Sequence, residues 1–193
     1  YLEDQMKGPL QNWKSMRSQP VSILGNGVSG KGVLNLLETL KWEGRIFDEK
    51  AELFDEKAAR ESSVVVISPG FQRNHPWIEL AVANKTIVLT ELDFASCFLS
   101  SPIVSITGTN GKTTLTSLLA HLWQKIQRPC VTAGNIGRSL SEVIAEGIEQ
   151  DSVVFLETSS FQSQMLRYLE PDSALWTNFT EDHLDHHNSQ KEY

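Results

Sequence analysis

Twice in this chain a short apolar run breaks into glycines and then into a pattern of helical period. The first instance is VSILGNGVSGKGVLNLLETL, residues 21–40. Val21–Leu24 is β-prone, Gly25, Gly27 and Gly30 follow in G-x-G-x-x-G spacing, and Val33, Leu34, Leu36, Leu37 and Leu40 recur at helical spacing. The second is IVSITGTNGKTTLTSLLAHLWQKI, residues 103–126, with Ile103–Ile106 as the strand, Gly108 and Gly111 in the turn and a helix behind them. A strand that turns on glycine straight into a helix is brought back beside itself by that helix. The next strand is then parallel, and the chain is committed to a parallel sheet covered by helices.

The segments in between agree. GRIFDEK (44–50) reads as a strand with Asp48 at its end. SSVVVISPG (62–70) is apolar from Val64 to Ile67, as in a strand buried on both faces. HPWIELAVANK (75–85) is helical and TIVLTEL (86–92) reads as a fourth strand. PCVTAG (129–134), SVVFLETSS (152–160) and DSALWTNF (172–179) supply strands for the second unit, and a short helix is predicted around Leu10–Met16. The fold class expected is α/β, a Rossmann-like parallel-sheet domain over residues 1–100 followed by a P-loop-type α/β domain over 101–193, with Ser100, Ser101 and Pro102 as the hinge.

The 193 residues suffice for two small domains, and 40% hydrophobic with 21% charged residues describes a globular chain. A net charge of −7 argues against general affinity for nucleic acid or an anionic membrane surface, though not against a local phosphate site. No apolar run approaches the roughly 18 residues of a membrane span and no signal-peptide pattern opens the chain, so a cytoplasmic protein is expected. Cys97 and Cys130 are expected to be reduced.

Each glycine turn carries chemistry. Glycines at a strand-to-helix turn let backbone N–H groups approach a phosphate where the helix dipole favours anions. In the first unit Asp48 stands where dinucleotide folds place a ribose-binding acid, so a nicotinamide or flavin cofactor is one reading and a tight turn without ligand another. The second turn departs from the common G-x-x-x-x-G-K-[ST] spacing, because only Thr109 and Asn110 separate Gly108 from Gly111. Its physics is intact: Lys112 can neutralise outer phosphates and Thr113 offers a hydroxyl to Mg²⁺. Glu157, ending a buried strand beside this turn, can bind Mg²⁺ directly or through water, although by itself an acid there is more often a solvated strand end. Residues 181–187 gather Glu181, Asp182, His183, Asp185, His186 and His187. Helical His183/His187 spacing would suit zinc, but no cysteine is near and H-E-x-x-H is absent.

Together GTNGKTT (108–114), AGNIG (133–137), ETSSFQ (157–162) and NFTEDHLDHH (178–187) resemble, in order, the motifs of the Mur ligases, the ATP-dependent amide ligases of bacterial cell-wall precursor synthesis. The Ser-Ser-Phe-Gln of 159–162 and GNGVSG (25–30) are most similar to the D-glutamate-adding members. The resemblance covers nearly everything after residue 20. It implies that residues 1–100 hold a uridine nucleotide instead of NAD, with Gly25, Gly27, Val28, Ser29 and Gly30 at the diphosphate. Asp48 and Ser68, Pro69 and Gly70 would lie at the uridine end, and Asn135 would hold substrate near the domain junction. ATP would be bound by Gly108, Thr109, Asn110, Gly111, Lys112, Thr113 and Thr114. Thr113 and Glu157 would hold Mg²⁺, and His183 a second metal. Lys112 and His183 would be the catalytic pair, and the implied reactants are UDP-N-acetylmuramoyl-L-alanine, D-glutamate and ATP. Such proteins also carry the rest of the central ATP-binding domain and a third domain, which the resemblance places beyond Tyr193.

Overall fold

The computed structural model describes residues 8–10 and 16–180. Among them strands and helices alternate without exception: β1 (Val21–Leu24), α1 (Val28–Leu40), β2 (Gly44–Phe47), α2 (Glu56–Glu61), β3 (Val64–Ile67), α3 (Pro76–Ala83), β4 (Ile87–Thr90) and α4 (Glu91–Ser96). Then come β5 (Ile103–Thr107), α5 (Lys112–Lys125), β6 (Cys130–Gly134), α6 (Leu140–Glu146), β7 (Val153–Glu157), α7 (Ser160–Met165) and β8 (Ser173–Trp176). They build two four-stranded sheets, ordered β2-β1-β3-β4 and β6-β7-β5-β8. Every pairing is parallel.

Burial follows the sequence pattern. β1 and β3, the apolar runs, are the two inner strands of the first sheet and are buried along their whole length. α1 lays Val33, Leu36, Leu37 and Leu40 on that sheet. These residues join Phe94, Phe98, Leu140, Val143, Ile144, Val154 and Leu156 in one continuous apolar cluster, so the two sheets share a core through α1, α4 and α6.

Three local differences from the sequence reading have physical causes. The TIVLTEL strand stops at Thr90, whose Oγ1 accepts the Asp93 N–H at 3.0 Å and starts α4, so Glu91 and Leu92 are helical. The GRIFDEK strand stops at Phe47, because Asp48 makes a turn in which its carboxylate accepts the Lys50 N–H and its carbonyl accepts the Ala51 N–H. Of the helix expected around Leu10–Met16, Gly8–Leu10 is a 3-10 turn and residues 11–15 lie outside the described residues. Both cysteines are free thiols. Burial pushes the Cys97 thiol up to about 12, which leaves it inert as a nucleophile.

Parallel pairing in register is what builds the site. Leu24 is opposite both Phe47 and Ile67, so the turns after β1, β2 and β3 leave the first sheet side by side. In the second sheet Ile106 is opposite Glu157, Gly134 is opposite Glu157, and Thr107 is opposite Trp176. The turns after β5, β6, β7 and β8 therefore meet at one edge.

Candidate nucleotide sites at the two sheet edges

At the first edge Gly25, Asp48 and Ser68 are the first residues beyond β1, β2 and β3. The Gly25 N–H donates to the Phe47 carbonyl at 2.8 Å and the Ser68 N–H to the Leu24 carbonyl at 3.0 Å. A Cβ on Gly30 would overlap the Gly25 carbonyl oxygen, so only glycine lets α1 start this close to β1. Asp48 is bound to the same turn: its Oδ1 accepts the Lys50 N–H at 3.0 Å and its Oδ2 the Asn26 N–H at 3.1 Å. Those two N–H bonds, Lys50 first, hold its carboxyl below the ordinary range. The Ser68 hydroxyl is buried against the position a Gly25 Cβ would take and has no hydrogen-bond partner among the described residues. Pro69 and Gly70 continue that turn, while Gly27, Val28 and Ser29 form the mouth of α1, where Val28 is exposed.

Sequence reasoning missed an aromatic group beside this turn. Phe71 and Trp77 stack with centroids 6.0 Å apart, His75 packs on Phe71 at 4.6 Å, and His75 Nε2 lies 3.2 Å from a Glu49 carboxylate oxygen. The signal was present in FQRNHPW directly after SPG, but it has no periodicity to draw attention.

At the second edge three predicted residues meet. Glu157 is only 1% exposed. Its Oε2 accepts the Thr113 hydroxyl at 2.7 Å and its Oε1 accepts the Asn135 side-chain amide at 3.1 Å. Asn135 is also tied through its backbone, its N–H donating to the Glu157 carbonyl at 2.9 Å. Asn135 thus stands in the same cluster as Thr113 and Glu157, orienting the carboxylate. Lys112, expected to neutralise outer phosphates, is folded over its own loop, with Nζ donating to the carbonyls of Gly108 at 2.7 Å and Thr109 at 2.8 Å.

Thr109 and Asn110 have a different place from the rest of the GTNGKTT run. Their N–H groups donate to the backbone carbonyl and the Oδ1 of Asn178, each at 3.0 Å. The Asn110 carbonyl accepts Thr177 Oγ1 at 2.7 Å and Asn178 Nδ2 at 2.9 Å. Thr109 and Thr180 exchange a further pair of bonds. Residues 177–180 therefore clasp the loop, a role the motif did not disclose and the β5–β8 pairing does. Gly111, at φ +83°, then opens α5, followed by Lys112, Thr113 and Thr114 in its first turn. His183 lies outside the described residues, as do Glu181, Asp182, Asp185, His186 and His187.

Helix capping sets these two turns apart from the other described helices. α2, α3, α4, α6 and α7 are each capped by a side chain: Asp55, His75, Thr90, Ser139 and Ser159. α1 and α5, the two that follow glycine turns, have Gly27 and Gly111 at the cap and no side-chain bond there. At these two places among the described helices no side chain caps the N-terminal N–H groups, and the positive end of the dipole there can accept an anion. Among the described residues no three His, Cys, Asp or Glu side chains converge as a metal cage. One carboxylate with one hydroxyl is a hard-oxygen pair that fits Mg²⁺ carried in with phosphates.

The comparisons with known proteins agree with this geometry. Residues 106–193 match the Mur ligase middle domain. The UDP-N-acetylmuramoylalanine--D-glutamate ligase of Thermoanaerobacter pseudethanolicus is 33% identical over 92% of this chain and 43% of its own length. That of Aquifex aeolicus is 37% identical over 89% of this chain and 41% of its own. That of Enterococcus hirae is 33% identical over 97% and 45%. The chain thus spans less than half the length of the curated relatives it matches. The solved structure of UDP-N-acetylmuramate:L-alanyl-gamma-D-glutamyl-meso-diaminopimelate ligase from Neisseria meningitides superposes with a TM-score of 0.58 at 18% identity, over 88% of this chain and 63% of that one, a likeness of fold. Family model, relatives and fold concur: residues 106–193 match the Mur ligase middle domain, and most of the chain is similar to Mur ligases.

Proposed function

We propose that this chain carries the uridine-substrate domain, residues 1–100, and the first part of the ATP-binding domain, residues 101–193, of a cytoplasmic ligase. The reaction joins D-glutamate to UDP-N-acetylmuramoyl-L-alanine at the expense of ATP. The observation that carries the reading is the pair of uncapped helix N-termini at the carboxyl edges of two parallel sheets. One has a pinned aspartate and an unpartnered serine beside it. The other has Lys112 and the Thr113–Glu157–Asn135 cluster.

The uridine diphosphate lies on the N–H groups at Gly27–Gly30, with Asp48 and the Ser68–Gly70 turn at the nucleoside. The triphosphate lies on the first turn of α5 from Gly111 to Thr114, and Lys112 swings from its loop carbonyls onto phosphate oxygens. The substrate's terminal carboxylate attacks the γ-phosphorus, ADP leaves, and an acyl phosphate forms. The amine of D-glutamate then attacks the acyl carbon, inorganic phosphate leaves and the ammonium-derived proton is released. Both first reactants are anions, so repulsion dominates the barrier, and Mg²⁺ bound with ATP supplies charge screening. The chain's own part is to hold that ion's oxygen ligands, Thr113 Oγ1 and Glu157, in one orientation, with Asn135 fixing the carboxylate. His183 is assigned to a second metal at the acyl phosphate.

Calorimetric titration of the 193-residue chain tests the binding half directly. UDP and Mg·ATP are expected to bind at separate sites without competing, and NAD to show no heat. Tight NAD binding with no response to UDP would return the first turn to a dinucleotide-cofactor role and refute the assignment.

A further inference from the structure

Glu91 and Asp93 are 2% and 1% exposed in the first turn of α4, which leaves the first sheet, and no Lys or Arg among the described residues pairs with either. Their partners are backbone N–H groups of the second unit. Asp93 gathers three in succession: Arg167 at 3.1 Å to Oδ2 and 3.2 Å to Oδ1, then Tyr168 and Leu169, each at 2.9 Å to Oδ1. Glu91 Oε1 accepts the Ser141 N–H at 2.7 Å, in the first turn of α6. At the same junction α1 and α6 approach so closely that a Cβ on Gly32 would overlap the Ser139 hydroxyl, which caps α6.

Apolar contact alone would hold the two units together, as the shared core already does, but it is non-directional. A desolvated carboxylate without a cation is an expensive way to add adhesion. What it adds is direction, because three converging N–H bonds are satisfied in one relative placement. The segment it grips, Arg167–Leu169, follows α7, and α7 follows the turn leaving Glu157. Asp93 itself lies three residues beyond β4, which neighbours the strand leading to Ser68.

We propose that Asp93, with Glu91 beside it, is a docking clamp that fixes the placement of the Gly25–Gly30 and Ser68 edge relative to the Lys112–Glu157 edge, and so acts as a positioning residue for phosphoryl transfer. The positioning part rests on the function proposed above: a substrate held by its uridine end at one edge must present its carboxylate at the other. Misplacement by about 1 Å can cost a transfer step about 10²-fold while each ligand still binds.

The test places spin labels on Cys at Lys57 and Ile126, exposed positions of the two units, in a Cys97→Ser/Cys130→Ser background, and measures their distance distribution. Asp93→Ala and Gly32→Ala are expected to broaden or shift it, and Asp93→Asn, which keeps volume and one acceptor, to do so less. UDP and Mg·ATP affinities should stay within about threefold, while phosphate release by the ligase with its uridine substrate falls about 30-fold or more. An unchanged distribution in Asp93→Ala and Asp93→Asn overturns the clamp. A broadened distribution with undiminished phosphate release overturns the positioning role. If Asp93→Ala does not fold, Asp93→Asn and Gly32→Ala decide by the same two readouts. Failure of UDP and Mg·ATP to bind the unsubstituted chain refutes the proposed function, and the distance measurement still judges the clamp.

Discussion

Replacing Glu91 with Gln separates what its shape contributes from what its charge costs. Burial raises the Glu91 carboxyl above its ordinary range, with bonds from Ser141 and the Leu140 backbone opposing that only in part. A carboxyl whose folded pKa exceeds its unfolded pKa, about 4.3, is relatively better held in its protonated form. Its stabilising contribution is therefore complete below about pH 4.3 and is lost as pH rises through the folded value. Gln keeps an oxygen for the 2.7 Å bond from the Ser141 N–H and never ionises. The variant and the parent should have similar stabilities near pH 4, and the variant should gain by about 1.4 kcal/mol per pH unit across the window up to the folded pKa, then by no more. For a chain of this size that slope is about 3–5 °C in Tm per pH unit. Calorimetric melts of both proteins from pH 4 to pH 8 read it directly. A Tm difference that does not change with pH would show that Glu91 titrates as an ordinary exposed carboxyl. A difference growing in the opposite sense would mean that the charge is stabilised here. Either result refutes the burial argument.

Three further outcomes are expected from the two edges. Lys112→Ala should cut phosphate release by the ligase about 10²-fold or more, because a preorganised cation at a transferring phosphoryl group is worth several kcal/mol; near-normal turnover removes it from the site. Its Tm should fall only slightly, since what the fold loses is two bonds to loop carbonyls. Glu157→Gln removes the charge facing Thr113 and Asn135, and charge-assisted hydrogen bonds at about 1.5–3 kcal/mol predict a roughly 10- to 150-fold loss of Mg·ATP affinity by calorimetry, with UDP affinity unchanged. Equal loss for both ligands would point to a folding defect instead. Gly30→Ala should destabilise by about 1–3 kcal/mol in urea melts and weaken UDP more than Mg·ATP, because the added methyl overlaps the Gly25 carbonyl; a variant with unaltered UDP affinity contradicts placing the diphosphate on that turn.

The parts of this fold legible in the sequence were those long enough to show a period or apolar enough to show a run. α1 and α5, at 13 and 14 residues, and the uniformly apolar β3 could be read directly. α2, α4, α6 and α7 have six or seven residues each, under two turns, so no amphipathic period develops and their caps are the signal. Thr90 shows the difficulty: it is a β-branched residue at the end of an apolar run, yet its hydroxyl ends the strand by capping α4. In the site, Thr113 and Glu157 lie in separate motifs that only the resemblance put together, and the structure joins them because Ile106 pairs with Glu157 across β5 and β7. The clasp from Thr177 to Thr180 and the grip of Asp93 on Arg167–Leu169 span about 70 residues of sequence, and such contacts follow only from the order of strands in the sheet.

The two glycine turns differ in a way that accounts for a division of labour. Both present the uncapped N-terminus of a helix, so both can hold a phosphate. The first adds a carboxylate, Asp48, bonded to the turn's own N–H and kept anionic. A negative charge there repels further phosphate and favours hydroxyl and amide donors, which suits recognition of a nucleoside and offers no help to a phosphoryl group gaining charge. The second adds a lysine within reach of its loop carbonyls and a buried carboxylate already holding the first-turn hydroxyl. On the proposed function the lysine, together with Mg²⁺ held by that carboxylate, neutralises charge that appears only during transfer. On the proposed function, chemistry belongs at the second edge and grip at the first, and one substrate serves both only while the proposed clamp at Asp93 keeps the edges in register.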